Sequence, residues 1–190
     1  MGSRTARADR SEPLPGDPMP LDFALVYEQH AAFVWRSLRV LGVPADSLDD
    51  AVQEVFLVVH RRLDEFEGRS SLRTWLYAIA RRIARNVRRG AGRHGTPDRI
   101  AAEPADPAGG TPLELAEKAE AGRLLVELMS QLGQDQREVF LLVEVEEMSV
   151  PEAAEALGLN LNTCYSRLRS ARARFERVLA THRRHHGGTE

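Results

Sequence analysis

The segment Ser149–Leu179, SVPEAAEALGLNLNTCYSRLRSARARFERVL, leaves few options for folding. Ser149 and Glu152 stand three positions apart at its start, the spacing of a capping box in which each side chain satisfies the other's orphan amide. A helix over Val150–Leu157 then points Ala153, Ala154 and Leu157 inward. Gly158 stops it, because glycine readily enters the left-handed conformation a sharp turn needs. Asn160 is placed to cap a second helix. In that helix Cys164, Leu168, Ala171, Phe175 and Val178 or Leu179 recur at three- and four-residue steps as one buried stripe. The opposite side carries Asn162, Tyr165, Ser166, Arg169 and Arg172. Small residues inside, glycine at the corner and a basic outer face fit a helix-turn-helix that lays its second helix in a DNA major groove. A helical hairpin with a solvated basic face is the competing structure.

The net charge of −2 is a sum of blocks. From Arg69 to Arg93 there are eight arginines and no acid, and from Cys164 to His186 seven arginines against Glu176 alone. Pro44–Glu67 and Ala121–Thr163 are acidic. Two separate basic patches, each beside an acidic surface, point to contact with a polyanion at two places. No apolar run approaches the ~20 residues of a membrane span and no signal-peptide core opens the chain, so a soluble, cytoplasmic protein is expected. The single cysteine, Cys164, excludes a disulfide framework and a Cys-based zinc finger, and its place on the apolar stripe makes it a small buried hydrophobe.

Residues 1–20, with Pro13, Pro15, Pro18 and Pro20, read as a disordered tail. Over Asp22–Leu41 the positions Val26, Phe33, Val34, Ser37, Leu38 and Leu41 form a helical stripe, stopped at Gly42 and Pro44. Asp46 or Ser47 caps a second helix to about Phe66, its core face Leu48, Ala51, Val52, Val55, Phe56, Val59 and Leu63. Ser70 or Ser71 caps a third, to about Arg89, with Leu72, Trp75, Leu76, Ile79, Ala80, Ile83 and Val87 inward and arginines outward. The stretch after Gly90, rich in Gly, Pro, Ala and Asp and without periodicity, reads as a linker over residues 91–112. A helix over about Leu113–Leu132 follows, and Asp135 with Glu138 caps another carrying Val139, Phe140 and Val143. Residues 181–190 read as a polar tail. The expectation is an all-α chain of two small helical domains, residues 21–90 and 113–180, on a flexible tether.

DAVQEVF at Asp50–Phe56, then Arg61, Phe66, Gly68, Thr74-Trp75-Leu76, Ile79-Ala80 and Arg85-Asn86, resembles region 2 of an extracytoplasmic-function sigma factor, the minimal class of RNA polymerase specificity subunit. Ser149–Leu179, with LNTCYSRLRSARARF, is similar to region 4 of that family, and the two signatures stand in the family's order. The resemblance implies a non-enzymatic, cofactor-free initiation factor that binds core RNA polymerase, through its β′ clamp helices and β subunit, and directs it to −10/−35 promoters. Asp50, Gln53, Glu54, Leu57 and Arg61 match the polymerase-binding positions. A helix with one face already buried that adds a second stripe mixing acids with an exposed leucine suits a partner bearing basic and apolar groups.

The third helix and the loop before it match the part that opens and reads the −10 element. Arg73, Arg81, Arg82, Arg85 and Arg88 supply cations for a single-stranded backbone. Phe66, Gly68, Arg69, Ser70 and Ser71, with Asn86, match where the family accepts a flipped-out base. The spacing of Trp75 with Leu72 and Ile79 assigns it to the core and not to base stacking. In region 4, Asn162, Thr163, Tyr165, Ser166 and Arg169 open the recognition helix, where base edges are met. Arg169 fits a bidentate guanine contact, while Arg167, Arg172 and Arg174 fit phosphates. Tyr165 stands where many members carry a basic residue. Stacking averages about 1.4 kcal/mol per step, so a bubble of roughly ten base pairs costs on the order of 14 kcal/mol, which predicts weak or no promoter binding without polymerase. A linker of about 23 residues has a root-mean-square span of roughly 26 Å and stretches to nearly 80 Å, against ~70 Å for two turns of DNA. Members are often held by an anti-sigma factor, commonly at the membrane, so such a partner is expected.

The rival reading is a dimeric helix-turn-helix regulator that binds a palindrome without polymerase; its sensing domain has no need of an acid-free arginine face. An enzyme is disfavoured, since no Gly-rich phosphate loop, Ser/His/Asp set or metal cluster appears. His182, His185 and His186 read as solvated tail histidines, with no metal expected.

Overall fold

Helix α1 (Phe23–Val40) begins where Asp22, in extended backbone, accepts the Ala24 amide at 3.0 Å. The computed structural model describes residues 21–91 and 112–186. Among these no strand occurs, and seven α-helices account for the architecture. Gly42, at φ 80°, reverses the chain after α1, with the Val43 amide bonded back to Leu38. A 3-10 turn over Ala45–Ser47 leads into α2 (Leu48–Arg62), which buries Leu48, Ala51, Val52, Val55, Phe56 and Val59. Helix α3 (Leu72–Ala91) starts on Ser71, whose hydroxyl accepts the Thr74 amide at 3.2 Å. The three helices pack on one another around Val34, Leu38, Leu48, Val55, Val59 and Leu76. Burying each such side chain contributes roughly 1.5–3 kcal/mol, which fixes the faces these helices leave outside.

The second half consists of α4 (Pro112–Ser130), α5 (Gln134–Phe140), α6 (Val150–Leu157) and α7 (Leu161–His186). Arg137 donates to the Met129, Ser130 and Leu132 carbonyls at 3.0 Å each, satisfying the end of α4. Asp135 does not cap α5: Gly133 holds the N-cap position, Asp135 lies in the first turn, and Glu138 turns inward. After α5 the chain widens into a π-helical turn over Leu141–Val145, closed by the Glu146 amide on the Leu141 carbonyl at 2.9 Å. Glu147 then takes φ 54°, a left-handed conformation that costs a non-glycine residue about 1–2 kcal/mol. Phe140 stacks on Phe175 with ring centroids 4.5 Å apart, joining α5 to α7.

Two features depart from the expectations, the length of α7 and the contact between the halves. Helix α7 continues to His186, so most of the segment read as a tail prolongs the recognition helix. The residues read as an N-terminal tail, and nearly all of those read as the linker, lie outside the described residues. The two halves also touch: α3 packs on α6 and α1 on α5, and the buried residues of both form one cluster. Tyr77, fully buried on α3, is part of that junction and belongs to neither stripe read from periodicity.

Gly158 adopts φ 67°, ψ 37° between α6 and α7, and a Cβ there would meet no atom within 4 Å. Gly158→Ala is therefore expected to lose about 1–2 kcal/mol through backbone conformation alone, and Ser149→Ala about 1 kcal/mol through the lost cap. Urea unfolding midpoints measure both; an unchanged midpoint for either variant contradicts this account of the turn.

Candidate nucleic-acid and polymerase interfaces

The helix-turn-helix forms as the capping chemistry dictates. The Glu152 carboxylate accepts the Ser149 amide at 3.0 Å and its hydroxyl at 2.6 Å, while the Glu152 amide reaches back to that hydroxyl at 3.4 Å. These serine bonds hold the Glu152 carboxyl below its ordinary pKa. Asn160 caps α7 by accepting the Thr163 amide at 2.8 Å. Cys164 is buried, and burial pushes its thiol pKa up, the opposite of what a reactive thiolate requires.

The outer face of α7 exposes Asn162, Tyr165, Ser166, Arg169, Arg172 and Arg174, with Thr163 and Arg167 half-buried. Arg167 pairs with Asp135 at 2.8 Å and Arg172 with Glu144 at 2.6 Å. A phosphate at either position competes with a carboxylate already there. Arg169 stands exposed in the middle of the face, between Tyr165 and Arg172. Leu161 and Tyr165 are exposed large apolar side chains at the start of this helix.

The α3 face is less uniform. Arg82 and Arg85 are exposed, and Asn86 is exposed with its carbonyl accepting from Arg89 at 2.6 Å. Arg69 is exposed beside Glu67 at 2.9 Å. Gly68 turns the preceding loop with φ 67°. Ser71 is occupied as the α3 cap and also bonds Thr74 at 3.0 Å, and Ser70 points to the Ser71 carbonyl at 3.5 Å. Phe66 lies against Trp75 with centroids 5.3 Å apart, both half-buried, so Trp75 packs on the core edge instead of offering an open stacking face. Arg88 bonds the Leu41 carbonyl at 3.3 Å, bracing α3 to the end of α1. Arg73 and Arg81 reach into the other half: Arg73 donates to the Glu146 carbonyl and Arg81 to the Leu157 carbonyl at 3.1 Å.

On α2 the residues Asp50, Gln53, Glu54, Leu57 and Arg61 all lie exposed, one stripe opposite the buried one. Leu57 is 49% exposed. Beside this stripe runs a groove of about 820 Å³, lined by Phe23, Tyr27, Val52, Gln53, Phe56 and Leu57 among others. Tyr27 sits edge-on to Phe56 at 4.6 Å, and Leu21, Leu25 and Tyr27 are exposed apolar residues of the same end. Sequence reasoning missed this part. The signal was present in Leu21, Leu25 and Tyr27, large apolar residues that fall outside the buried stripe begun by Val26.

Among the described residues no three His, Cys, Asp or Glu side chains gather as a metal site. His182 is half-buried, and the side chains of His185 and His186 lie outside the described set. No described helix is long and apolar enough to cross a membrane.

Comparison with known proteins gives the family. A model of sigma-70 region 2 matches residues 26–94, and a model of sigma-70 region 4 matches residues 122–175. The chain is 30% identical over 161 residues to the RNA polymerase sigma factor NccH of Alcaligenes xylosoxydans xylosoxydans, covering 83% of this chain and 86% of the relative. It is 31% identical over 165 residues to the ECF RNA polymerase sigma-E factor of Escherichia coli K12, covering 83% and 85%. The structure of the Bartonella quintana sigma factor RpoE, solved with the anti-sigma factor NepR, superposes with a TM-score of 0.65 at 25% identity, covering 84% of this chain and 97% of that one. The chain belongs to the extracytoplasmic-function RNA polymerase sigma factors, transcription initiation factors that direct polymerase to promoters.

Proposed function

We propose that this sigma factor divides its labour among three faces. The α2 stripe of Asp50, Gln53, Glu54, Leu57 and Arg61 docks on the polymerase clamp, with the Tyr27–Phe56 groove extending the contact. The α3 face and the loop Phe66–Ser71 hold the −10 strand, with Arg69, Arg82, Arg85 and Asn86 outermost. The start of α7 reads the −35 element, with region 2 over residues 21–90 and region 4 over residues 113–180. The observation that carries this is the exposed α2 stripe: five side chains of mixed acid, amide, leucine and arginine character on a helix whose other face is fully buried. Leu57 does not stand alone: it lines one groove with the equally exposed Tyr27, and grouped apolar exposure of that kind marks a protein contact.

The factor works in the cytoplasm, without catalysis of its own, and has a protein inhibitor. The relative RpoE was solved bound to the anti-sigma factor NepR, which supports a partner of that kind here. A dimeric regulator is disfavoured because region 2 and its arginine face have no role in one.

Run-off transcription with bacterial core polymerase tests the reading; absence of a stable complex with core overturns it. Glu54→Lys is expected to abolish core binding while the helical circular dichroism signal stays intact, and unchanged affinity contradicts the interface. On duplex carrying the −35 element, Arg169→Ala is expected to lose about 1–3 kcal/mol of discrimination against a mutated site. Arg174→Ala instead lowers the salt slope by about 0.9 with sequence preference retained. Equal losses on intact and mutated −35 templates for Arg169→Ala make it a phosphate contact.

A further inference from the structure

The groove between α1 and α2 has one end where the described chain begins. Phe23, two residues on from Leu21, sets its ring 4.9 Å from His60 and 6.3 Å from Phe56. Tyr27 follows on Phe56, and Trp35 with Asp49 lines the far end. From Phe23 to Trp35 helix α1 rises ~18 Å, at about 1.5 Å per residue. Tyr27 and Leu57 are each about half exposed along this floor, so aromatic and apolar surface lies open over the length of the groove.

The residues before Leu21 carry the chemistry that complements this surface. Pro13, Pro15, Pro18 and Pro20 restrict φ to about −65°, which biases their segment toward the polyproline II helix. Pro15 and Pro18 stand at P-x-x-P spacing, one turn of that helix, and such segments dock on aromatic-lined grooves. Leu14 and Met19 add apolar side chains. Upstream, Arg4, Arg7 and Arg10 recur at every third residue, one side of a helix with three residues per turn, and Asp9 is the only acid among residues 1–10. Beside and beyond the groove α2 offers Glu54, Asp50 and Asp49, all exposed.

We infer that residues 4–20 form an arm that folds back from Leu21 along the α1–α2 groove, as a stand-in for polymerase carried in the same chain. Pro15 and Pro18 seat on Tyr27 and Phe56, and Arg10, Arg7 and Arg4 run on to the acids of α2. The lengths agree. Residues 19–22 span up to ~13 Å, enough to turn the chain beside Phe23. From Pro18 back to Arg10 a polyproline II helix covers ~25 Å, past the groove to its acidic end. The inference rests on the assignment of the α2 stripe to core polymerase and adds a competitor for that stripe. A short tether holds the arm at an effective concentration of about 1 mM, so an intrinsic affinity of only ~0.1 mM seats it in about 90% of molecules. Core polymerase then meets the remaining tenth, and its apparent affinity is lowered about tenfold.

The test uses the full chain with a benzophenone amino acid in place of Tyr27, an exposed position on the groove. Irradiated alone, the protein is expected to crosslink within the monomer to residues 12–20, located by mass spectrometry of the digested band. Two variants change no residue of the helical bundle: Pro15→Gly with Pro18→Gly, and Arg4→Glu with Arg7→Glu and Arg10→Glu. Each is expected to reduce that crosslink, the arginine variant most at low salt. With Tyr27 restored, both are expected to bind core polymerase about tenfold more tightly than the unchanged chain. No crosslink to residues 12–20 in the free protein, or one found only in crosslinked dimers, overturns the inference. So does a crosslink lost in both variants while core affinity stays unchanged. If the crosslink forms and the variants lose it, yet no form binds core, the arm keeps its seat and the polymerase assignment falls.

Discussion

A single buried carboxylate, Glu146, sets the relation between the two halves of this protein. Held by Arg36 on α1, and with its own carbonyl bonded to Arg73 on α3, it ties the first bundle to the turn that precedes the helix-turn-helix. Further polar groups are satisfied across the boundary, Tyr77 on Glu138, Gln134 on Val40 and Arg81 on Leu157, around an apolar cluster that both halves share. Buried polar groups left unpaired cost far more than paired ones contribute, so these ties fix the geometry of the junction.

In the proposed reading the surfaces left outside carry the function. The exposed large apolar side chains gather in two places, Leu21, Leu25, Tyr27 and Leu57 at the α1–α2 end and Leu161 with Tyr165 at the start of α7. The first group lies beside an acidic stripe and suits a protein; the second lies among arginines and suits DNA. Several of the cations are already engaged. Arg167 and Arg172 hold Asp135 and Glu144, and Arg88 braces α3 to Leu41. Electrostatic attraction between α7 and DNA is thereby tempered by local acids, which favours base contacts over indiscriminate binding to phosphate.

Helices α3, α6 and α7 were legible in the sequence because each has its own punctuation. Ser149 with Glu152, Gly158 and Asn160 lie in the capping and turn geometry their types predict, and the buried stripes of α2 and α7 fall on the three- and four-residue steps. What was not legible is what depends on pairs distant in the chain. Nothing near Arg36 announces Glu146, which is 110 positions away, and Tyr77 looks like a surface residue until Glu138 is brought to it. Asp135 misled because its three-residue spacing with Glu138 imitates a capping box, whereas Glu138 is drawn inward by Tyr77 and Gln134. The continuation of α7 to His186 was missed for the opposite reason: a polar stretch with no apolar stripe gives no periodicity to read, yet simply propagates an existing helix.

The central claim is that the exposed α2 stripe around Leu57 docks on core polymerase. A photo-crosslinking amino acid at position 57 measures this directly. The account predicts a crosslink to the β′ subunit once core polymerase is added. A protein that supports transcription yet crosslinks to no polymerase subunit from position 57 contradicts the account.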